Sequence, residues 1–363
     1  MGLLTCEARV RTELPSRWIA ALCAQFAEDE AHSSWTETRG EAAFRFGTGR
    51  IEAGAEMLYL RAEAADAASL AKVKFLLAAR LEDIAAAEKP EIVWTGDGCD
   101  SSELPNLRVM GVSRVVDVTP HMRRITLTGA DLGRFDASNL HVKLLIPPAG
   151  LAAPTWPVMG RNGIPIWPDG DERLTVRTYT IRRIDVGADE MDIDFVRHED
   201  AGPGAAWAER AQAGDVVGVM GPGGRGISLT EWYLLVGDET GLPAIGRILE
   251  ALPADARGLA FVEVADAGEE QVIAHPPGLS LVWLHRDGAE PGTTTALVEA
   301  VRGVAWPDTP NVFAWAGAEF ETFRAIRTHW RRERGLDRSC HLAVAYWRRG
   351  YCEGEFKKTP AED

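Results

Sequence analysis

The sequence predicts a multidomain protein with α/β and all-β parts: a small α+β domain, a six-stranded antiparallel β-barrel and a parallel-sheet α/β domain. Three observations carry this. Short strand-like runs separated by tight turns fill the middle of the chain. Apolar runs alternating with helical patterns fill the last third. Ahead of both lies a block with helix, hairpin and helix periodicities of its own. At 363 residues the chain has room for two or three such domains.

The first block covers residues 1–98. Pro15 opens a helical pattern in which Trp18, Leu22 and Phe26 share one face. Strand-like runs follow at 42–46 and 56–63, the second alternating Leu58 and Leu60 with Tyr59 and Arg61. A second helical pattern carries Leu70, Val73, Leu76, Leu77, Leu81 and Ile84, and Val93-Trp94 closes the block. Its histidine, His32, stands alone and reads as a surface or helix-end residue, so no catalytic constellation is visible here.

A polar, turn-rich stretch at 96–104 reads as a linker. The segment 105–230 then offers strands at 107–118, 121–128, 140–146, 175–184, 191–196 and 215–220 with one short helix, which points to a closed antiparallel barrel. Within it, 154–171 carries Trp156-Pro157 and Trp167-Pro168 and reads as an irregular excursion. The segment 231–352 places apolar runs at 233–236, 259–264, 280–284, 312–316 and 342–346, most of them separated by helical patterns at 242–252, 295–301 and 319–334. That alternation implies a parallel sheet with crossover helices, whose ligands bind beyond the carboxyl ends of the strands.

Composition narrows the function. The apolar content of 46% and charged content of 26% are ordinary for a soluble globular protein. A net charge of −15 excludes broad binding to nucleic acid or anionic membrane, both of which need a cationic surface. No apolar run approaches the roughly 20 residues of a membrane span. The five cysteines, Cys6, Cys23, Cys99, Cys340 and Cys352, are scattered and form no C-x-x-C, so neither a disulfide framework nor a zinc or iron–sulfur site is indicated, and a cytoplasmic location is expected.

Four motifs carry chemistry. Arg177-Thr178-Tyr179-Thr180 sits in a strand, so Arg177 and Tyr179 project together and Thr180 oppositely. An arginine fork suits a pyrophosphate, and a tyrosine offers a flat face and a hydroxyl; alone, the pattern also fits a solvated edge. Asp194-Phe195-Val196-Arg197-His198 is a strand end that delivers Asp194 and His198 to one face. It leads to Gly202-Pro203-Gly204-Ala205-Ala206-Trp207, where glycines and a helix N-terminus suit an anion, although a plain turn and helix cap would read the same. Gly237-Asp238-Glu239-Thr240-Gly241 ends the first α/β strand with Pro243 in the next helix's first turn, and is not the G-x-G-x-x-G of ordinary dehydrogenases. Glu263 ends the second α/β strand and would repel a 2′-phosphate if it lay beside a ribose. At a later strand end, Glu319 reads either as ligand-facing or as an acidic first-turn helix residue.

In this order and spacing the motifs resemble those of the siderophore-interacting protein family, FAD-dependent ferric-siderophore reductases of the ferredoxin-reductase superfamily. The likeness spans about 105–352 and rests on Arg177 to Arg182, Asp194 to His198, Gly202 to Ala208, Gly237 to Ile245, Trp283 to Arg286 and Tyr346 to Gly350. The first block resembles a short domain of unknown function sometimes joined to such reductases. The resemblance implies an FAD-binding barrel and an NAD(P)H-binding α/β domain. It implies cofactor contacts from Arg177, Thr178, Tyr179, Thr180, Asp194, Val196, His198, Gly202, Gly204, Ala205, Ala206, Trp207, Asp238, Thr240, Tyr346 and Trp347. It also implies a ferric siderophore as substrate, held by Lys143, Arg225 and Arg286, with NADH, NADPH or reduced ferredoxin as donor. Ala205 stands where many relatives carry serine, and Ala345 where they carry glycine; neither change removes a charged group. Two rival readings are another flavin oxidoreductase of the superfamily and a non-catalytic siderophore carrier or sensor.

Overall fold

Period-2 and period-3.6 burial organise the chain into two units in a computed structural model that describes residues 2–28, 31–136, 139–151, 153–198 and 202–351. The first unit takes residues 1–107 together with 148–173, and the second takes 108–147 and the chain from 174 onward. Cys352 lies outside the described residues.

The first unit is built on an antiparallel sheet of six strands, β1 (Leu4–Arg11), β2 (His32–Trp35), β3 (Arg39–Phe44), β4 (Gly47–Ala53), β5 (Met57–Ala64) and β6 (Trp94–Gly96), in the order β2-β3-β4-β5-β1-β6. Helices α1 (Pro15–Glu28) and α2 (Ala67–Ile84) bury Trp18, Leu22 and Phe26 and Leu70, Val73, Leu77 and Leu81 in one core with the inward residues of β5, Leu58, Leu60 and Ala62. Asp66 caps α2 by accepting from the N–H groups of Ala68 and Ser69, both at 3.0 Å. Strands β1, β2 and β4 are additional to those the sequence predicts. The inward residues of β1 include Cys6, Ala8 and Val10, and β4 opens Gly-Thr-Gly around one large core residue, Ile51, so neither presents a strong alternating apolar signal.

The excursion in the barrel segment contains the short hairpin of β10 (Val158–Met159) and β11 (Pro165–Ile166) and belongs to this first unit. Trp94 donates its backbone N–H to Arg161 O at 3.1 Å and its indole Nε1–H to Asn162 O at 2.9 Å, while Asn162 Nδ2 donates to Glu82 Oε1 at 2.8 Å. Residues 148–173 are thus a piece of the first unit inserted, in chain order, between two barrel strands.

In the second unit, β7 (Leu107–Thr119), β8 (Met122–Thr128), β9 (His141–Ile146), β12 (Thr175–Asp185), β13 (Glu190–Val196) and β14 (Val216–Gly223) close into a six-stranded antiparallel barrel in the order β12-β13-β8-β7-β14-β9. Val112, Ile125, Leu127, Val142, Leu144, Ile181, Ile193, Phe195 and Val219 fill it, and α3 (Pro203–Arg210) adds Trp207 and Ala208.

The parallel sheet, order β17-β16-β15-β18-β19, comprises β15 (Trp232–Gly237), β16 (Arg257–Val264), β17 (Gly278–His285), β18 (Val312–Glu319) and β19 (His341–Trp347). Helices α4 (Leu242–Ala251), α5 (Ala296–Arg302) and α6 (Phe320–Thr328) complete it. The chain builds outward from β15 to β17 and then returns to place β18 on the other side of β15. The carboxyl ends of β15 and β18 therefore form the switch point at which such sheets bind ligands. Barrel and sheet are tied at α4. Arg182 of β12 makes a bidentate pair with Glu250, at 2.7 Å on both arms, and Arg247 donates to the carbonyls of Asn139 and Phe135. Among the described residues no helix is long and apolar enough to cross a membrane.

Candidate functional site

Strand β12 supplies the first part of the site. Tyr179 packs on Phe195 of β13 with ring centroids 4.3 Å apart, and Phe195 leans in turn on Trp207 of α3 at 5.6 Å. This stack fixes Tyr179 so that its hydroxyl lies against the first turn of α3. A side chain at Gly204 would bring its Cβ to 2.2 Å from Tyr179 Oη, so the contact requires glycine. The N-cap of α3 is Gly202, which has no side chain to satisfy the first-turn N–H groups, and Pro203 lacks an N–H. Arg177, two residues before Tyr179 on the same strand face, is half-buried and donates one Nη1–H to Val176 O at 2.8 Å. The helix N-terminus and the phenol meet here, with Arg177 two residues along the same strand face, and these are donors of the kind a pyrophosphate-bearing flavin nucleotide needs, so the cradle fits FAD.

The opposite face of β12 meets the α/β sheet. Cross-strand register places Thr178 beside Lys143 and Thr180 beside His141 of β9. His141 Nε2 lies 2.6 Å from Tyr346 Oη of β19, with the rings edge to face at 5.4 Å, and Thr180 also hydrogen-bonds that phenol. Burial pushes the Tyr346 phenol above its usual range, an effect only partly offset by the Thr180 bond. Tyr346 is therefore a neutral hydrogen-bonding group at physiological pH. His141 is held from behind by Gly224, where a Cβ would come within 2.6 Å of Nδ1. Sequence reasoning missed His141, because a lone histidine opening a strand carries no signal until the register puts it beside Thr180.

At the switch point, Gly237 pairs with Gly317, and a Cβ at Gly241 would sit 2.2 Å from Gly317 O, so backbone packs on backbone. Asp238 organises this corner. Its Oδ1 accepts from Thr240 N at 2.9 Å and Thr240 Oγ1 at 2.5 Å, and its Oδ2 accepts from Glu319 N at 2.9 Å and Trp347 Nε1 at 2.8 Å. Four internal donors engage this carboxylate, which is 4% exposed. Asp238, Thr240 and Trp347 thus hold one another and anchor the end of β19. Glu319 is the N-cap of α6, where its side chain accepts from Glu321 N.

Several residues expected to touch a ligand have other work. Asp194 is buried and bound bidentately by Arg124 at 2.6 and 2.8 Å. Val196 packs on the core beneath the parallel sheet, and Trp207 belongs to the barrel core. Ala205 is buried and Ala206 partly so in the first turns of α3, while Gly202 and His198 are exposed. The expectation for Arg286 needs correction. Its side chain is 3% exposed and bidentate on Glu239, with Glu263 3.7 Å from Nη1, so it is no open cation for an anionic substrate. Burial pushes both glutamates upward, opposed by Arg286 and, at Glu263, by the Thr294 hydroxyl. Three buried charges at the ends of β15, β16 and β17 make this an internal ion cluster. Lys143 and Arg225, by contrast, are exposed on the barrel, Lys143 next to Thr178 and Arg225 just after β14. Among the described residues no group of three or more His, Cys, Asp or Glu is placed to hold a metal ion.

Family models match three stretches of the chain. Residues 111–226 match the siderophore-interacting FAD-binding domain, 230–350 the siderophore-interacting protein domain, and 7–95 an uncharacterized protein family conserved in bacteria (DUF2218). The chain is 33% identical over 248 residues to the ferric vibriobactin reductase ViuB of Vibrio cholerae, covering 67% of this chain and 90% of that one. Among solved structures it is similar to the siderophore-interacting protein SipS from Aeromonas hydrophila, with a TM-score of 0.60 at 33% identity over 69% of this chain and 95% of that one. It is similar also to a siderophore utilization protein from T. fusca, with a TM-score of 0.58 at 39% identity over 69% and 97% of the two chains. With its FAD-binding barrel, its parallel α/β sheet and these relatives, the chain belongs to the siderophore-interacting protein family.

Proposed function

We propose that this chain is an FAD-dependent reductase that reduces ferric siderophores to release ferrous iron, with NADH or NADPH as electron donor. The observation that carries the reading is the seating of Tyr179 Oη against the first turn of α3, which joins the arginine–tyrosine strand and the helix N-terminus into one cradle. Arg177 and the first-turn N–H groups of α3 would hold the pyrophosphate of FAD, and Tyr179, Thr180 and Tyr346 would line the rest of its site. FAD supplies the chemistry that links a two-electron hydride donor to a one-electron ferric acceptor. The protein's part is to place and shield. His141 and Thr180 fix the phenol of Tyr346, and the bonds from Thr240, Glu319 and Trp347 to Asp238 hold the end of β19 where it meets the barrel. Exposed Lys143 and Arg225 would attract an anionic ferric siderophore on an otherwise acidic protein. Ferrous iron fits hard oxygen ligands less well than ferric, so reduction itself loosens it.

The test is the flavin content of Arg177→Ala. Losing a charge-assisted fork costs about 1.5–3 kcal/mol, roughly one to two decades of FAD affinity. A variant that keeps full FAD occupancy at low added FAD removes Arg177 from the cofactor site.

A further inference from the structure

The first unit holds a cluster that the proposed reaction does not use. Cys6 and Cys99, separated by 93 residues in the chain, stand with their Sγ atoms 3.4 Å apart. Cys6 lies on β1, buried, with its main chain paired to Gly96 of β6, and Cys99 follows three residues later in the turn that leaves β6. That turn is fastened to β1. Thr5 N–H donates to Asp97 Oδ2 at 2.7 Å, Asp97 N–H donates to Thr5 O at 2.9 Å, and Cys99 N–H donates back to Gly96 O at 3.2 Å. The positive φ of Gly96 (114°) and Gly98 (66°) lets the chain fold over in this way. Lys74 of α2, only 4% exposed, directs its ammonium at Cys99 Sγ from 3.5 Å. A buried ammonium needs an acceptor, and among the described residues Cys99 Sγ is placed to serve as one.

We propose that Cys6 and Cys99 are a dithiol site for oxidation by a hydroperoxide, with Cys99 the attacking sulfur, Cys6 the resolving one and Lys74 a positioning residue. Cys99 is half-buried, whereas Cys6 is buried. Burial and the hydrogen bond with Cys99 push the Cys6 thiol up to about 12, so Cys6 keeps its proton until the second step. In the first step the Cys99 sulfur attacks the peroxide: an S–O bond forms, the O–O bond breaks, and the alcohol or water leaves with a proton. Cys99 is then a sulfenic acid, and the Lys74 ammonium, 3.5 Å from the attacking sulfur, stands beside the point where charge passes from that sulfur to the leaving oxygen. In the second step Cys6 attacks that sulfur; the S–S bond forms, the S–O bond breaks, and the hydroxyl leaves as water with the Cys6 proton. Two thiols and one hydroperoxide give one disulfide, one alcohol or water, and one water. The sulfurs must close by about 1.4 Å to reach disulfide length, a side-chain adjustment. Hydroperoxide arises wherever ferrous iron or a reduced flavin meets oxygen, so a protein that handles both would meet this oxidant. The disulfide would lock the start of the 96–104 stretch to β1.

The test uses the full-length flavin-loaded protein and needs no reductase activity, so its failure leaves the proposed reaction standing. After brief treatment with a few equivalents of hydrogen peroxide, the protein is alkylated in denaturant and digested for mass spectrometry. The expected result is loss of two of the five alkylatable thiols, a Cys6–Cys99 cross-linked peptide, and recovery with dithiothreitol. Cys99→Ser removes the cross-link and leaves Cys6 alkylatable. Lys74→Met slows disulfide formation about tenfold while Lys74→Arg retains most of the rate. If Lys74→Met does not fold, the wild-type cross-link and its loss in Cys99→Ser decide. Five intact thiols, a cross-link through Cys23 or Cys340, or Cys99 driven to sulfinic acid without a cross-link each overturn the proposal.

Discussion

Replacing Gly204 with alanine probes the cradle at its tightest point. The new Cβ would lie 2.2 Å from Tyr179 Oη, 3.0 Å from Cζ and 3.1 Å from Cε2. Ordinary contact lies near 3.5 Å, so the phenol or the helix must yield by about 1.3 Å. The ring cannot simply swing away, because Phe195 backs it at 4.3 Å and Trp207 backs Phe195. Overpacking of this kind costs about 1–3 kcal/mol. Alanine returns up to about 1 kcal/mol of helix propensity, so the flavin-free protein should lose no more than about 3 kcal/mol. FAD affinity should suffer more than folding, since Arg177, Tyr179 and the first-turn N–H groups would no longer converge. A loss of ten- to a hundredfold is expected. Titration of apoprotein with FAD by flavin fluorescence measures it, with thermal unfolding of the apoprotein as the control. Tyr179→Phe on the Gly204→Ala background removes the closest clashing atom and should recover part of the affinity. Wild-type FAD affinity in Gly204→Ala would show that the seating of Tyr179 on α3 does not form the cofactor site.

Two further outcomes follow from the same geometry. Asp238→Asn exchanges one acceptor for a donor amid four converging donors, so it should destabilise the protein by about 1–3 kcal/mol, read as a lower urea midpoint at unchanged m-value. Lys143→Ala should raise KM for anionic ferric siderophores and leave neutral chelates little affected, and salt should mimic it, since an exposed charge acts over a Debye length of about 8 Å.

Much of this architecture was legible because local signals agreed with the global fold. All six barrel strands fall within a few residues of their apolar alternation, and the five parallel strands follow their short apolar runs. What stayed hidden depends on partners distant in sequence. Arg286 looks like a surface cation until Glu239, 47 residues earlier, is found on its guanidinium. The acceptors of Asp194 and Asp238 are taken by Arg124 and by donors of Thr240, Glu319 and Trp347, which a motif cannot reveal. The placement of 148–173 in the first unit was invisible for a similar reason. Its anchors are backbone and amide bonds to Trp94 and Glu82, and these leave no trace in composition. Cys6 and Cys99 read as scattered because a sheet, and no sequence spacing, brings them together.

The central claim is most directly tested by anaerobic stopped-flow absorbance of the FAD-loaded protein. NADH or NADPH should bleach the visible absorbance of the oxidised flavin. Mixing the reduced protein with a ferric siderophore should then restore that absorbance rapidly, with ferrous iron trapped by a chromogenic chelator. A reduced flavin that stays bleached across a panel of ferric siderophores would contradict the proposed reaction.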